Sequence, residues 1–102
     1  MSQADAATKI KINESLKEPS MFRVIYLNDN QTPMEFVVES LVEFFDYNTP
    51  TALKITEDIH DSGQATVAVL PYEIAEQKGI EVTMSARSQN FPLQIKLEAD
   101  KA

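Results

Sequence analysis

Hydrophobic and polar residues follow three strand-like patterns along the chain. The apolar run Met21–Leu27 ends at the turn-forming segment Asn28–Asn30, which is typical of a buried strand. Gln64–Leu70 alternates in steps of two, so Ala65, Val67 and Val69 share one predicted face. Leu93–Glu98 alternates strictly and predicts the third strand.

Three helices are predicted between these strands. Thr32-Pro33-Met34-Glu35 resembles a capping box, with Thr32 as the cap and Pro33 in the first helical position. Its apolar positions recur at helical spacing: Met34, Val37, Val38, Leu41, Val42 and Phe45. Thr49-Pro50 predicts a second helix that ends near Ser62, before Gly63. Pro71 opens a third helix, which runs to about Gln89.

The order of these elements, β-α-α-β-α-β, predicts a small α+β sandwich. We expect one domain, residues 21–98, in which a three-stranded antiparallel sheet packs against three helices. Residues 1–20 are mixed in polarity and are expected to form a flexible N-terminal tail. Residues 99–102 are expected to form a short C-terminal tail.

Composition and charge exclude several classes of partner. Nine basic and sixteen acidic residues give a net charge of −7, which disfavours nucleic acids and anionic membranes. The absence of cysteine excludes disulfides and thiolate metal sites and fits a cytoplasmic location. No apolar run approaches the roughly 18 residues of a membrane span.

The sequence carries no recognisable catalytic motif. A metal site would depend on His60 with Asp58 or Asp61, and zinc needs three or four ligands. The sequence has only two glycines, which disfavours a phosphate-binding loop. We therefore expect neither a metal nor a cofactor, and no enzymatic activity.

Polar side chains at the ends of three predicted elements suggest a binding site. If the first two helices pack antiparallel, Asn28, Asp29 and His60 come together around an apolar floor that includes Met34, Val37 and Ile59. Such acceptors suit an ammonium group beside a hydrophobic side chain. In the alternative interpretation, Asn28-Asp29 only forms an Asx-turn and His60 caps helix carbonyls. Spacing alone leaves both open.

The sequence resembles the ClpS family, the adaptors of the Clp AAA+ protease, across residues 16–97. The resemblance is carried by PSMFRVI (residues 19–25), LND (27–29) and TPMEFVV (32–38). Further matches are Phe44-Phe45, Ile59-His60 before Gly63, EIAE (73–76), Ala86-Arg87 and Pro92-Leu93. The family fold, β-α-α-β-α-β, agrees with the fold predicted above.

The resemblance implies a non-catalytic adaptor. Such adaptors bind substrates with N-terminal Phe, Tyr, Trp or Leu and deliver them to an unfoldase of the ClpA or ClpC type. By resemblance, the α-amine is held by Asn28, Asp29 and His60. The side chain enters a pocket formed by Thr32, Met34, Val37, Thr56, Ile59 and Leu93, with Met34 as a gate against β-branched residues. Glu73 and Lys78, with the N-terminal tail, engage the unfoldase.

Two departures from the family pattern lie close to the expected site. Asn30 stands where an acidic residue is common, and Thr56 where relatives often carry Met. They motivate an alternative function, a modulator that binds the Clp unfoldase without selecting N-termini. A small hydrolase using His60 is a third hypothesis, for which no nucleophile is identifiable.

Overall fold

The computed structural model describes residues 20–101, so the predicted N-terminal tail lies outside the described residues except for Ser20. The predicted order β-α-α-β-α-β is confirmed. The elements are β1 (Met21–Leu27), α1 (Met34–Phe45), α2 (Thr49–Ser62), β2 (Gln64–Pro71), α3 (Tyr72–Ser88) and β3 (Gln94–Ala99).

β1 is the central strand of an antiparallel sheet with the order β2-β1-β3. Its three consecutive apolar residues Val24, Ile25 and Tyr26 are buried, because a strand pairs with β1 on each side. Val24 and Tyr26 belong to the core under the helices, whereas Ile25, 1% exposed, lies outside that cluster on the alternate face. β3 includes Ala99, the first residue of the predicted C-terminal tail.

A bulge in β2 changes which of its residues face the core. Opposite the Val24–Ile25 step of β1, β2 carries one extra residue, Val67. Beyond it, Ala68 and Leu70 pack against the core and Val69 is 41% exposed. The prediction that Val69 shares the buried face of Val67 was therefore wrong, because an extra residue reverses the alternation.

The predicted capping box at the start of α1 is also wrong. The N-cap position is Pro33, which makes no side-chain cap, and the helix begins at Met34. The hydroxyl of Thr32 instead donates to Asp29 Oδ2 at 2.8 Å. The buried face of α1 includes Phe36 and Ser40, which the predicted stripe omitted.

α2 begins with an asparagine cap and ends at a glycine. Asn48 Oδ1 accepts from the backbone N–H of Thr51 at 3.0 Å, so the cap lies one residue before the predicted Thr49. The end of the helix is as predicted: Gly63 follows Ser62 with φ 87°, a left-handed conformation that favours glycine.

A buried pair of hydroxyl groups links the sheet to α1. Ser40 Oγ donates to the Val37 carbonyl at 2.8 Å, so the Tyr26 hydroxyl is the donor in its 2.7 Å contact with Ser40 Oγ. Burial strongly raises the pKa of Tyr26, and the Ser40 hydrogen bond opposes this only in part. The phenol thus stays protonated and fixes α1 against the central strand.

Candidate functional site

Backbone hydrogen bonds bring the end of α2 to the end of β1. The Asn28 N–H donates to the Gly63 carbonyl at 2.9 Å, and the Gly63 N–H donates to the Ile59 carbonyl at 2.9 Å. Gly63 turns the chain from α2 directly into β2, which pairs with β1. The last turn of α2, with Ile59 and His60, is thereby fixed beside Asn28 and Asp29.

A narrow cavity of about 20 Å³ lies at this junction. Its lining contains all nine residues expected for amine binding and for the hydrophobic pocket, plus Leu27. The lining residues are Leu27, Asn28, Asp29, Thr32, Met34, Val37, Thr56, Ile59, His60 and Leu93. Sequence reasoning omitted Leu27, although its place as the last residue of β1, directly before Asn28, could have indicated it.

The carboxylate of Asp29 organises the rim. Oδ1 accepts from the backbone N–H groups of Gln31 at 2.8 Å and Thr32 at 2.7 Å, and Oδ2 accepts from the Thr32 hydroxyl at 2.8 Å. Burial acts to raise the pKa of Asp29, but these hydrogen bonds and the charge of Arg87 together lower it below its usual value. Asp29 therefore forms the Asx-turn of the alternative interpretation and also carries a stable negative charge at the cavity.

Asn28 and His60 contribute polar side chains to the same rim. Both residues are exposed, and neither side chain takes part in the hydrogen bonds found among residues 20–101. An amide oxygen and a neutral imidazole nitrogen each accept a hydrogen bond. With Asp29 they form a set of acceptors that matches the three donors of an ammonium group.

The inner wall of the cavity is apolar and closely packed. Ile59, Leu93 and Val37 are at most 7% exposed. Thr56 is also buried, and its hydroxyl donates to the Ala52 carbonyl at 2.7 Å, so its polar hydrogen is used within α2. Met34 lines the same cavity but is 47% exposed, which puts it at the mouth.

Glu73 and Lys78 are not part of this cavity. Both lie on α3, where Lys78 is 3.9 Å from Glu81. Glu73 lines a separate groove together with exposed Tyr72 and Ile74 and with Ser20. Glu73 therefore lies on a second surface, and Lys78 lies further along the same helix, outside the cavity.

Neither a metal cluster nor a membrane helix is found in the part of the chain that the structure describes. No three His, Asp or Glu side chains among residues 20–101 lie close enough to share a metal ion. No helix in that range is long and apolar enough to cross a membrane.

Comparisons with known proteins identify a single family. Residues 17–96 match the family described as ATP-dependent Clp protease adaptor protein ClpS. The chain is 44% identical over 91 residues to the ClpS adapter protein of Shewanella denitrificans, covering 89% of each chain. It is 39% identical over 94 residues to that of Escherichia coli, covering 92% of this chain and 89% of the relative.

A solved structure extends the match to three dimensions. Agrobacterium tumefaciens ClpS2 bound to L-phenylalaninamide is similar with a TM-score of 0.79 and 34% identity, covering 81% of this chain and 100% of that one. The expected resemblance and the expected absence of catalysis are thus confirmed. The chain belongs to the ClpS family, the non-catalytic adaptor proteins of the ATP-dependent Clp protease.

Proposed function

We propose that this ClpS adaptor binds the free N-terminus of proteins that begin with Phe, Tyr, Trp or Leu and delivers them to a Clp unfoldase. The observation that carries the proposal is that one cavity joins three hydrogen-bond acceptors to an apolar wall. L-phenylalaninamide, bound by the similar ClpS2, has the same two parts, a free α-amine and a large apolar side chain.

The acceptors at the rim hold the α-ammonium group. Asn28 Oδ1 and a nitrogen of His60 accept two of its hydrogens, and Asp29 supplies the negative charge. Hydrogen bonds to charged groups are each worth ~1.5–3 kcal/mol. Asp29 is already oriented by three hydrogen bonds, so little entropy is lost when the amine binds.

The apolar wall receives the first side chain after a local rearrangement. The cavity of about 20 Å³ has room for little more than one water molecule, far less than a leucine or phenylalanine side chain. Ile59 and Leu93 are held in the core, whereas Met34 is half exposed and has a flexible thioether side chain. Met34 therefore moves to open the pocket, and it returns over the ligand as a gate.

The affinity that follows is modest. Burying a Phe or Leu side chain contributes ~1.5–3 kcal/mol, and association costs ~4–15 kcal/mol. With hydrogen bonds to the amine, a dissociation constant of about 1 μM, roughly 8 kcal/mol, is reasonable. Neither the amine nor the side chain suffices alone, so the site selects for both.

Delivery uses the second surface. Glu73 and Lys78 on α3, with the apolar groove at Tyr72 and Ile74, contact an unfoldase of the ClpA or ClpC type. Exposed apolar side chains flanked by charges are typical of a transient protein interface. The chain works in the cytoplasm on protein substrates and does not bind nucleic acid or membranes, in keeping with its net charge of −7.

The decisive experiment compares two ten-residue peptides that differ only at the amine. A fluorescent peptide beginning with Phe is expected to bind with a dissociation constant near 1 μM. The same peptide with an acetylated N-terminus should bind at least 100-fold more weakly. A free-amine peptide beginning with Gly tests the apolar half and should also bind weakly. Equal affinity of the free and acetylated Phe peptides would refute the proposal.

A second experiment separates delivery from binding. Glu73→Lys should retain affinity for the Phe peptide, because Glu73 does not line the cavity, and should lose complex formation with ClpA or ClpC. Glu43→Lys on α1, away from the cavity, is the matched control for an exposed charge reversal. If Glu73→Lys supports degradation of a Phe-initiated substrate at the wild-type rate, the docking role is wrong.

A further inference from the structure

Two surface grooves adjoin the cavity one after the other. The first has a volume of about 290 Å³, shares Leu27, Asn28 and Asp29 with the cavity, and adds Pro92 and Gln94. The second, of about 360 Å³, shares Pro92 and Gln94 with the first groove and extends to Arg87. The three depressions therefore form one track, which starts at the amine-binding rim and ends at Arg87.

Arg87 is fixed in place at the far end of this track. Its Nη1 donates to the carbonyl of Phe91 at 2.8 Å and to the carbonyl of Leu93 at 2.9 Å. The turn that carries Phe91 is itself held by the Phe91 N–H, which donates to the Ala86 carbonyl at 2.9 Å. A guanidinium has five N–H donors, and Nη1 carries only two of them. Three donors of an immobilised cation remain for a ligand at the end of the track.

Charge is distributed unequally along the track. Among the described residues that line the two grooves, the charged side chains are Asp29, next to the cavity, and Arg87, in the second groove but near enough for the two charges to interact. Gln31, Asn90 and Gln94 supply polar groups beside Arg87. The near end therefore repels an acidic side chain, and the far end attracts one, although the chain as a whole has a net charge of −7.

We infer that this track binds the substrate residues that follow the N-terminal one and that Arg87 favours an acidic side chain at the third or fourth position. The inference rests on the proposed function, since it takes the first residue to lie in the cavity. An extended peptide advances ~3.3 Å per residue, so the second residue lies beside Asp29 and Pro92, and the next ones reach Arg87. The adaptor thus reads a short acidic sequence context and not only the first residue.

The test measures affinities of Phe-initiated ten-residue peptides that carry Asp or Asn at one position. Asp should bind about two- to fivefold more tightly than Asn at position 3 or 4, the size expected of an exposed ion pair. At position 2, Asp should bind more weakly than Asn. The ratio of affinities for peptides with Asp and with Asn at position 10 measures the general repulsion of negative charge by the acidic protein. The preference for Asp at position 3 or 4 should decrease at 0.5 M salt, since salt screens the interaction between exposed charges.

Two variants assign the preference to the track. Arg87→Gln should abolish the Asp preference, and comparing the two peptides on the same variant cancels any general loss of affinity. Gln94→Lys adds a cation to the part shared by both grooves and should increase the preference; its side chain takes part in none of the hydrogen bonds found within residues 20–101.

The outcomes distinguish this inference from the proposed function. Equal Asp-to-Asn ratios at positions 3, 4 and 10, with binding still dependent on a free amine, would overturn the inference and leave the proposed function intact. Loss of the dependence on a free amine would overturn both. An Asp preference that persists in Arg87→Gln would show that another group causes it and would also reject the inference.

Discussion

Replacing Asp29 with asparagine removes a negative charge from the rim of the cavity but keeps a carbonyl oxygen in place of Oδ1. That oxygen can still accept from the backbone N–H groups of Gln31 and Thr32, now at 2.8 and 2.7 Å. Asparagine forms the same type of turn as aspartate. The substitution therefore separates the two roles of Asp29, support of the turn and attraction of the amine.

The expected magnitudes differ for the two roles. In Asp29→Asn the amide N–H₂ replaces Oδ2 and donates to the partly exposed Thr32 hydroxyl where the carboxylate had accepted from it, so the free energy of unfolding should fall by ~1 kcal/mol or less. Removing a charged acceptor from the ammonium group should cost ~1.5–3 kcal/mol of binding, roughly 10- to 100-fold in affinity. Affinity should thus fall far more than stability.

Fluorescence anisotropy with a Phe-initiated peptide and thermal unfolding measure the two effects on the same samples. Asp29→Ala is the matched control: it loses all three accepted hydrogen bonds and should reduce stability by ~2 kcal/mol as well as affinity. Wild-type affinity in a stable Asp29→Asn protein would contradict the reasoning. The carboxylate would then serve only the turn.

Three further predictions concern stability. Folding lowers the pKa of Asp29, so its charge stabilises the protein at pH values above the usual aspartate pKa, about 4. The difference in unfolding free energy between wild type and Asp29→Asn, measured by urea unfolding, should therefore stay constant from pH 7 to about 5 and decrease as the pH falls further. Ser40→Ala leaves the buried Tyr26 hydroxyl without its acceptor and should lower the free energy of unfolding by ~1–3 kcal/mol, more than Tyr26→Phe does. If Tyr26→Phe is instead less stable than Ser40→Ala, the assignment of Tyr26 as the donor is wrong. Gly79→Ala should stabilise α3 by ~0.5–1 kcal/mol, because alanine favours helix and its Cβ would lie at an ordinary contact distance, 3.6 Å, from Ile95 Cγ2. Gly63→Ala should destabilise the protein by ~1–2 kcal/mol, because φ is 87° there. The two melting temperatures should change in opposite directions.

The elements were predictable because each depends on its own residues, and the errors occur where a contact with a residue outside the element decides. Thr32 has the sequence of a helix cap, yet its hydroxyl donates to the Asp29 carboxylate, which the turn brings closer than the helix N-terminus. The bulge at Val67 arises from pairing with β1, so the alternation within β2 could not reveal that Val69 is exposed. Period-two patterns are reliable only between such irregularities.

The grouping of the site residues depended more on the family resemblance than on pattern. Spacing placed Asn28 and His60 near each other only if α1 and α2 packed antiparallel, and it left the Asx-turn interpretation open. The structure supplies the link that sequence lacks, the hydrogen bond from the Asn28 N–H to the Gly63 carbonyl. The small size of the cavity could not be predicted from the sequence either, since it depends on how Met34 and its neighbours pack.

The central position of β1 has a consequence for how two partners can occupy the adaptor. Leu27, its last residue, borders the cavity proposed to bind the amine, and Ser20, just before its first residue, borders the groove that contains Glu73. Seven residues of extended chain separate these ends by about 23 Å. If the proposed roles of the two surfaces hold, cargo and unfoldase occupy opposite ends of one strand, which two ladders of backbone hydrogen bonds keep rigid along its length.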